Sequence, residues 1–199
     1  MILGICGQIN TGKDTVADIL CGEYGFLRVS FADHLKMFCL QMFPDILSTE
    51  ILWGPSNNRT PKVRKLLQYL GTDIARGFDP NVWTKHTLNR IQQVQKTGID
   101  PLARIADTRP GRNVIIPDIR FKNEAQALLK LDAHLIKVTR PDNYKLVSTT
   151  TSARGHISET GIDDIPLDLF FTQINNDGTR EDLSPKVHRV LNAIRLLKS

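Results

Sequence analysis

A nine-residue stretch near the start, GQINTGKDT at residues 7–15, restricts what this chain can fold into more than any other part of it. The apolar run Ile2, Leu3, Gly4, Ile5, Cys6 leads into it, and the helix-forming run Val16, Ala17, Asp18, Ile19, Leu20 follows. Strand, glycine-bounded loop and helix in that order, with G-x-x-x-x-G-K spacing, is the pattern of a phosphate-binding P-loop. Gly7 and Gly12 let the backbone curl until successive N–H groups point inward at phosphate oxygens. The helix N-terminus adds partial positive charge, and Lys13 adds a full one. Asp14 stands where Ser or Thr usually follows the lysine. A carboxylate there cannot donate to phosphate, but it can hold Mg²⁺ directly or through water. Thr15, or Thr11 inside the loop, is left to supply the hydroxyl.

A P-loop needs a sheet behind it, and the chain supplies the strands. Residues 27–31 read as a second strand, running into a helix that opens near Asp33 and Lys36. Val63, Leu66, Leu67, Leu70 and Ile74 recur at helical spacing, with Gln68, Asp73 and Arg76 on the opposite face. Asp79 and Pro80 read as the cap and first residue of the next helix, which carries Trp83 as either a base-stacking or a core residue. Residues 113–118 form an apolar run closed by Asp118, as in a buried parallel strand with a carboxylate at its C-terminal end. After a P-loop, such an acid orients Mg²⁺ or its water shell. Further strands are expected at 133–139 and 169–174. A last helix carries Leu183, Val187, Val190, Leu191, Ile194 and Leu197 as one stripe. Between Arg140 and Glu159 the chain is polar, threonine-rich and basic, with Lys145, Arg154 and His156, which reads as a lid or a disordered loop. Five strands alternating with helices predict an α/β fold, a parallel sheet covered on both faces with ligands at the strand C-termini.

Composition narrows the partners. At 199 residues the chain is one domain or a domain with an insertion, 41% hydrophobic and 24% charged, the make-up of a soluble globular protein. A formal charge of +5 suits a polyanionic ligand, yet no Lys/Arg run is dense enough to favour nucleic acid. No stretch is long enough to span a bilayer. Cys6, Cys21 and Cys39 are odd in number and set in apolar contexts, so they read as reduced core residues of a cytoplasmic protein.

With these pieces in order the chain resembles the bacteriophage-type deoxynucleoside monophosphate kinases of the P-loop nucleoside monophosphate kinase superfamily. The resemblance rests on GQINTGKDTVADIL (7–20), SFADHLK (30–36), LLQYLGTDIARGFDPNVW (66–83), PDIRFKNEAQAL (117–128), and HISETG with INNDGT (156–161 and 174–179). It implies a three-layer P-loop fold in a single domain. The core would comprise residues 1–30, 110–140 and 165–199, with an acceptor-binding region at about 31–100 and a lid at about 140–160. It also implies ATP and Mg²⁺ as donor and cofactor, a deoxynucleoside monophosphate as acceptor, and host cytoplasm as the location if phage-encoded. A homodimer is left open. By the same resemblance Gly7, Asn10, Thr11, Gly12, Lys13, Asp14 and Thr15 hold the ATP phosphates, with Asp14, Thr15 and Asp118 serving the metal. Asn176, Gly178 and Thr179 lie beneath the donor base. Asp33, Lys36, Gln68, Asp73, Arg76, Trp83 and Arg120 line the acceptor pocket, and Lys13, Arg120, Arg140 and Arg154 stabilise the transferring phosphoryl group. Three other readings compete: a kinase of another small phosphorylated metabolite, such as phosphomevalonate or dephospho-coenzyme A, a nucleotide-binding module without turnover, and, remotely, a nucleic-acid 5′-kinase.

Overall fold

β1 (Ile2–Cys6) is buried at every position, as a strand flanked on both sides and covered on both faces must be. The computed structural model describes residues 1–55, 58–102, 109–141 and 161–197. β1 lies at the centre of a five-stranded sheet of order β2-β3-β1-β4-β5, with β2 (Leu27–Arg28), β3 (Val114–Ile119), β4 (His134–Thr139) and β5 (Thr172–Asn175). All four pairings are parallel, so every strand ends on the same side, where the loop after β1 emerges.

The helices are α1 (Lys13–Tyr24), α2 (Asp33–Met42), α3 (Thr49–Trp53), α4 (Pro61–Gln68), α5 (Val82–Thr97), α6 (Lys122–Leu129) and α7 (Arg180–Leu196). One face of the sheet packs on α1 and α7: Val16, Ile19 and Leu20 meet Leu183, Val187, Leu191 and Ile194 over Leu3, Ile5 and Ile136. The other face packs Ile91 of α5 and Ala125 and Leu128 of α6 on Ile2, Val114, Ile116 and Leu135. A third cluster, Leu35, Cys39, Leu47, Leu52 and Val63 with Trp53 and Trp83 beside it, belongs to α2–α4 and stands apart from the sheet.

Several elements differ from those the sequence predicts. β2 stops at Arg28, because residues 30–33 turn away to meet Asp118. β5 begins only at Thr172, where pairing with Ile136 of β4 starts, and Leu167–Leu169 is a short 3₁₀ turn. α5 starts after Asn81, because the Asp79 carboxylate accepts from the Asn81 N–H in a turn ahead of the helix. The helix begun by α4 widens into a π-helix over Tyr69–Arg76. Its i→i+5 bonding turns the chain less per residue than an α-helix does. Gly71 therefore faces the core, where a Cβ would stand 2.5 Å from Leu35 Cδ2, and Ile74 is left 48% exposed. Leu197 likewise falls off the α7 stripe and is exposed.

Candidate active site

The loop after β1 is shaped by two left-handed residues, Asn10 (φ 64°) and Gly12 (φ 93°). Asn tolerates that region and Gly occupies it without strain. A Cβ on Gly12 would lie 2.3 Å from Asn176 Nδ2, and one on Gly7 would lie 2.6 Å from both Thr11 Oγ1 and the Val138 carbonyl. Thr11 is buried and its hydroxyl donates to the Gln8 carbonyl at 2.9 Å. Asn176 is also buried, and its amide donates to the Thr11 carbonyl at 2.9 Å. The segment after β5 thus braces the loop from below. Thr179 caps α7 with Asp182, and Gly178 packs against the same carboxylate. Lys13 begins α1 and reaches back to the Gln8 carbonyl at 3.4 Å. A cavity of about 250 Å³ opens on the flank of the loop, bounded by Gly7, Gln8, Thr11, Arg140 and Asp163. A larger groove near Tyr24 and Arg112 lies at the opposite end of the sheet, away from the loop.

Two acids stand at this end of the sheet. Asp14, in the first turn of α1 and 64% exposed, pairs with Arg28, which also reaches Asp18 at 3.0 Å. Thr15 beside it is half-buried. An open carboxylate and a hydroxyl on one helical turn are hard oxygen donors, which fit Mg²⁺ that keeps most of its waters. Asp118 is differently placed. β3 carries one extra residue against β1 between the Gly4 and Cys6 pairings, and Pro117, which lacks an N–H, sits in that bulge. The bulge turns Asp118 toward residues 30–32. Its carboxylate accepts from the Ser30 hydroxyl, the Phe31 N–H (3.0 Å) and the Ala32 N–H (3.2 Å). A carboxylate has about four acceptor positions, and three are filled here.

Several residues expected to face an acceptor prove to be held by protein. Asp33 is 5% exposed and accepts from Ser30 N–H (3.0 Å), Trp53 Nε1 (2.8 Å) and Arg90 Nη1 (2.5 Å). Arg90 is itself wholly buried and forks onto Asp100 at 2.7 and 3.0 Å. Burial works against its charge, but Asp100 and Asp33 outweigh that and raise its pKa. Arg76 pairs with buried Glu124, donates to the Pro80 carbonyl at 3.2 Å and lies 4.3 Å over the Phe121 ring. Burial raises the Glu124 carboxyl, and Arg76 pulls it back down. The Trp83 indole donates to the Gly71 carbonyl at 2.7 Å and packs on the third cluster.

The other expected residues lie on the same elements or directly after a strand. Lys36 is half-buried 5.6 Å over the Trp53 ring, and its pKa is lowered by burial, with Asp33 and Asp118 opposing. Gln68, at the end of α4, is half-buried, and Asp73, in the π-helical stretch after it, is exposed. Arg120 follows β3, half-buried, and Arg140 follows β4. Arg154, with Lys145 and His156, lies outside the described residues, as does all of the expected lid (about 140–160) beyond residue 141.

Sequence patterns missed Arg59. Its side chain binds the carbonyls of Ile51 (3.2 Å), Leu52 (2.8 Å) and Gly54 (3.5 Å) at the end of α3. Its pKa is lowered by burial, by Arg64 and by Arg120, with Asp14 opposing. It sits in a loop without periodicity, so no local signal marks it.

The model of the deoxynucleotide monophosphate kinase family matches residues 47–187. A protein of Acanthamoeba polyphaga mimivirus, provisionally described as a deoxynucleotide monophosphate kinase, is 32% identical over 71% of this chain and 75% of its own length. The deoxynucleotide monophosphate kinase of Enterobacteria phage T4 is 32% identical over 66% of this chain, which spans 46% of the phage protein. Among solved structures, a shikimate kinase from Aquifex aeolicus superposes with a TM-score of 0.50 at 12% identity, covering 98% of this chain and 99% of that one. TT1252 from Thermus thermophilus gives a TM-score of 0.51 at 17% identity, covering 100% and 98%. At such identities the structures speak for the P-loop kinase fold, while the family match and the two viral relatives speak for the kind of kinase. The chain belongs to the deoxynucleotide monophosphate kinase family.

Proposed function

We propose that this protein transfers the γ-phosphoryl group of ATP to the phosphate of a deoxynucleoside monophosphate, giving the diphosphate and ADP. The observation that carries the reading is a braced loop of the phosphate-binding form, with Lys36 of α2, Arg59 ahead of α4 and Arg120 after β3 as cations on the neighbouring elements. Lys13 and the loop stand on the donor side. On the acceptor side Lys36 is within electrostatic reach of Asp118, and Arg59 of Asp14 and of Arg120. Phosphoryl transfer asks for in-line positioning and charge neutralisation, with little covalent work from the protein. An acceptor phosphate oxygen forms the new P–O bond as the bond to the β-phosphate oxygen breaks. That oxygen is already anionic, so no general base is needed.

In this reading the loop N–H groups and Lys13 hold the β- and γ-phosphates, and Asn176 keeps the loop from sagging. Lys36, Arg59 and Arg120 fix the acceptor phosphate. Gln68 and Asp73 face its nucleoside, with Arg76, Asp33 and Trp83 as the framework behind them. Arg140 would approach the transferring group, and Arg154 is assigned the same charge-neutralising role. Asp14 and Thr15 would hold Mg²⁺, with Asp118 meeting it through water. When bound, the ion neutralises charge on the β- and γ-oxygens. The test is ADP release with ATP alone and with each of the four deoxynucleoside monophosphates. Turnover with at least one acceptor, well above ATP alone, is expected. A nucleotide-binding module without turnover would give none, and a kinase of another metabolite would respond only to that metabolite.

A further inference from the structure

The buried charges described above form one continuous path. Arg90, in the middle of α5, holds Asp33 at the start of α2. Asp33 holds the Ser30 N–H at 3.0 Å, and its own N–H bonds the Ser30 carbonyl at 3.1 Å, closing a tight turn over residues 30–33. That turn aims the Ser30 hydroxyl and the Phe31 and Ala32 N–H groups at Asp118. The Ser30 hydroxyl also accepts from the Ala32 N–H at 3.3 Å, which fixes the direction of its proton toward the carboxylate. The far end of the path is anchored as firmly, since Asp100 takes both remaining faces of the Arg90 guanidinium and also accepts from the Leu102 N–H at 3.2 Å. None of Arg90, Ser30 or Asp100 stands in the cleft's ligand-facing set.

We propose that Arg90 and Ser30 are positioning residues for Asp118: Arg90 fixes the turn through Asp33, and the turn fixes the carboxylate beside the transferring phosphate. Without Arg90, Asp33 is a buried carboxylate with two neutral donors, and the turn relaxes to find it another partner. The acid at the end of β3 then loses three aligned donors together, although nothing at the phosphate loop has changed. Because Asp33 and Arg90 belong to helices that carry the acceptor region, the path also ties the placement of those helices to the placement of Asp118. The catalytic consequence rests on the kinase reading, whereas the structural link does not.

The experiment therefore reads both. Outer residues that orient a metal-site acid typically affect activity by about 10- to 100-fold. Ser30→Ala and Arg90→Lys should each lower kcat with Mg·ATP by that order and raise the Mg²⁺ concentration for half-maximal rate, with ATP affinity by nucleotide displacement unchanged. Ser30→Thr, which keeps the hydroxyl, should restore kcat. The double variant should be no worse than the poorer single one, since both act on one carboxylate. Independently of turnover, amide exchange at Phe31 and Ala32 should quicken in Arg90→Lys while β1 and α7 amides hold their rates. Exchange quickening everywhere means a general loss of stability and overturns the proposal. So does a normal kcat in a folded Ser30→Ala protein, or unchanged exchange at Phe31 and Ala32 in Arg90→Lys. If wild type turns over no acceptor, the kinase reading fails, and the exchange result alone decides the link.

Discussion

Arg76→Ala should destabilise the protein far more than an average surface arginine would. The partner left behind is Glu124, whose side chain is 1% exposed and, among the described residues, also accepts from the N–H groups of Arg120 (2.8 Å) and Phe121 (3.1 Å). Removing one member of a buried ion pair strands the other charge, at a cost of about 3–5 kcal/mol. For a chain of this size that lowers the melting midpoint by about 6–20 °C. The effect has a pH signature. Burial raises the Glu124 carboxyl in the folded state, so the folded protein keeps this proton where the unfolded chain, with a pKa of about 4.3, has released it. The stability linked to that proton is complete below the unfolded value and is lost as pH rises through the folded one. Arg76 opposes the rise, and without it the window widens upward. Melting of Arg76→Ala should therefore fall further below wild type at pH 8 than at pH 5. Adding Glu124→Gln, which removes the stranded charge, should recover most of the loss. A variant that melts with wild type at pH 8, or a double variant no better than the single, would refute the reasoning.

Lys13→Ala should stay folded and lose about 100-fold or more in kcat, read by ADP release, and a near-normal rate would remove the loop from the chemistry. Gly12→Ala meets both a left-handed φ of 93° and Asn176 Nδ2 at 2.3 Å, so strain of about 1–3 kcal/mol should distort the loop and weaken ATP in a displacement assay. Asp14→Asn should shift the Mg²⁺ titration of the rate to higher concentration with acceptor KM little changed; overlapping titrations would pass the role to Thr15. His34 is pushed down to about 4 by burial, by His86 and by Arg90. The unfolded chain takes up this proton first, so stability should fall as pH drops from about 6.5 toward that value. His34→Gln should flatten that limb in a melting series, and an unchanged limb would assign it to other groups.

The part of this fold that the sequence discloses is the part whose causes are local. β1, the loop and α1 are contiguous, and their pattern of apolar run, glycine spacing and lysine needs nothing from elsewhere in the chain. Asp118 was visible for the same reason, as an acid closing an apolar strand. What it binds was not, because the three donors come from residues 86 to 88 positions earlier. Asp33 and Arg76 look in sequence like polar residues at helix ends near a cleft. Their partners Arg90 and Glu124 lie 57 and 48 residues away, beyond any periodicity. The end of β2 and the start of β5 were likewise set by what the neighbouring segments do, not by propensity. The wide helix at Tyr69–Arg76 has no sequence mark at all, since its apolar spacing is that of an ordinary α-helix.

That wide stretch acts as a phase shifter along one continuous rod. The apolar stripe begun by Val63 is handed over in mid-helix from large side chains to Gly71, which lets the rod close on Leu35 at backbone distance. Arg76, eight residues beyond Gln68, is thereby delivered to Glu124 on the sheet side. Trimming one residue from this segment would put the helix back in step, turning Ile74 inward against a space sized for glycine and swinging Arg76 off its carboxylate. Insertions and deletions are usually absorbed in loops; here a register error within a helix would break the joint between this rod and the sheet side. The outward band of Tyr69, Ile74 and Phe78, exposed by 55%, 48% and 95%, is the visible trace of that offset.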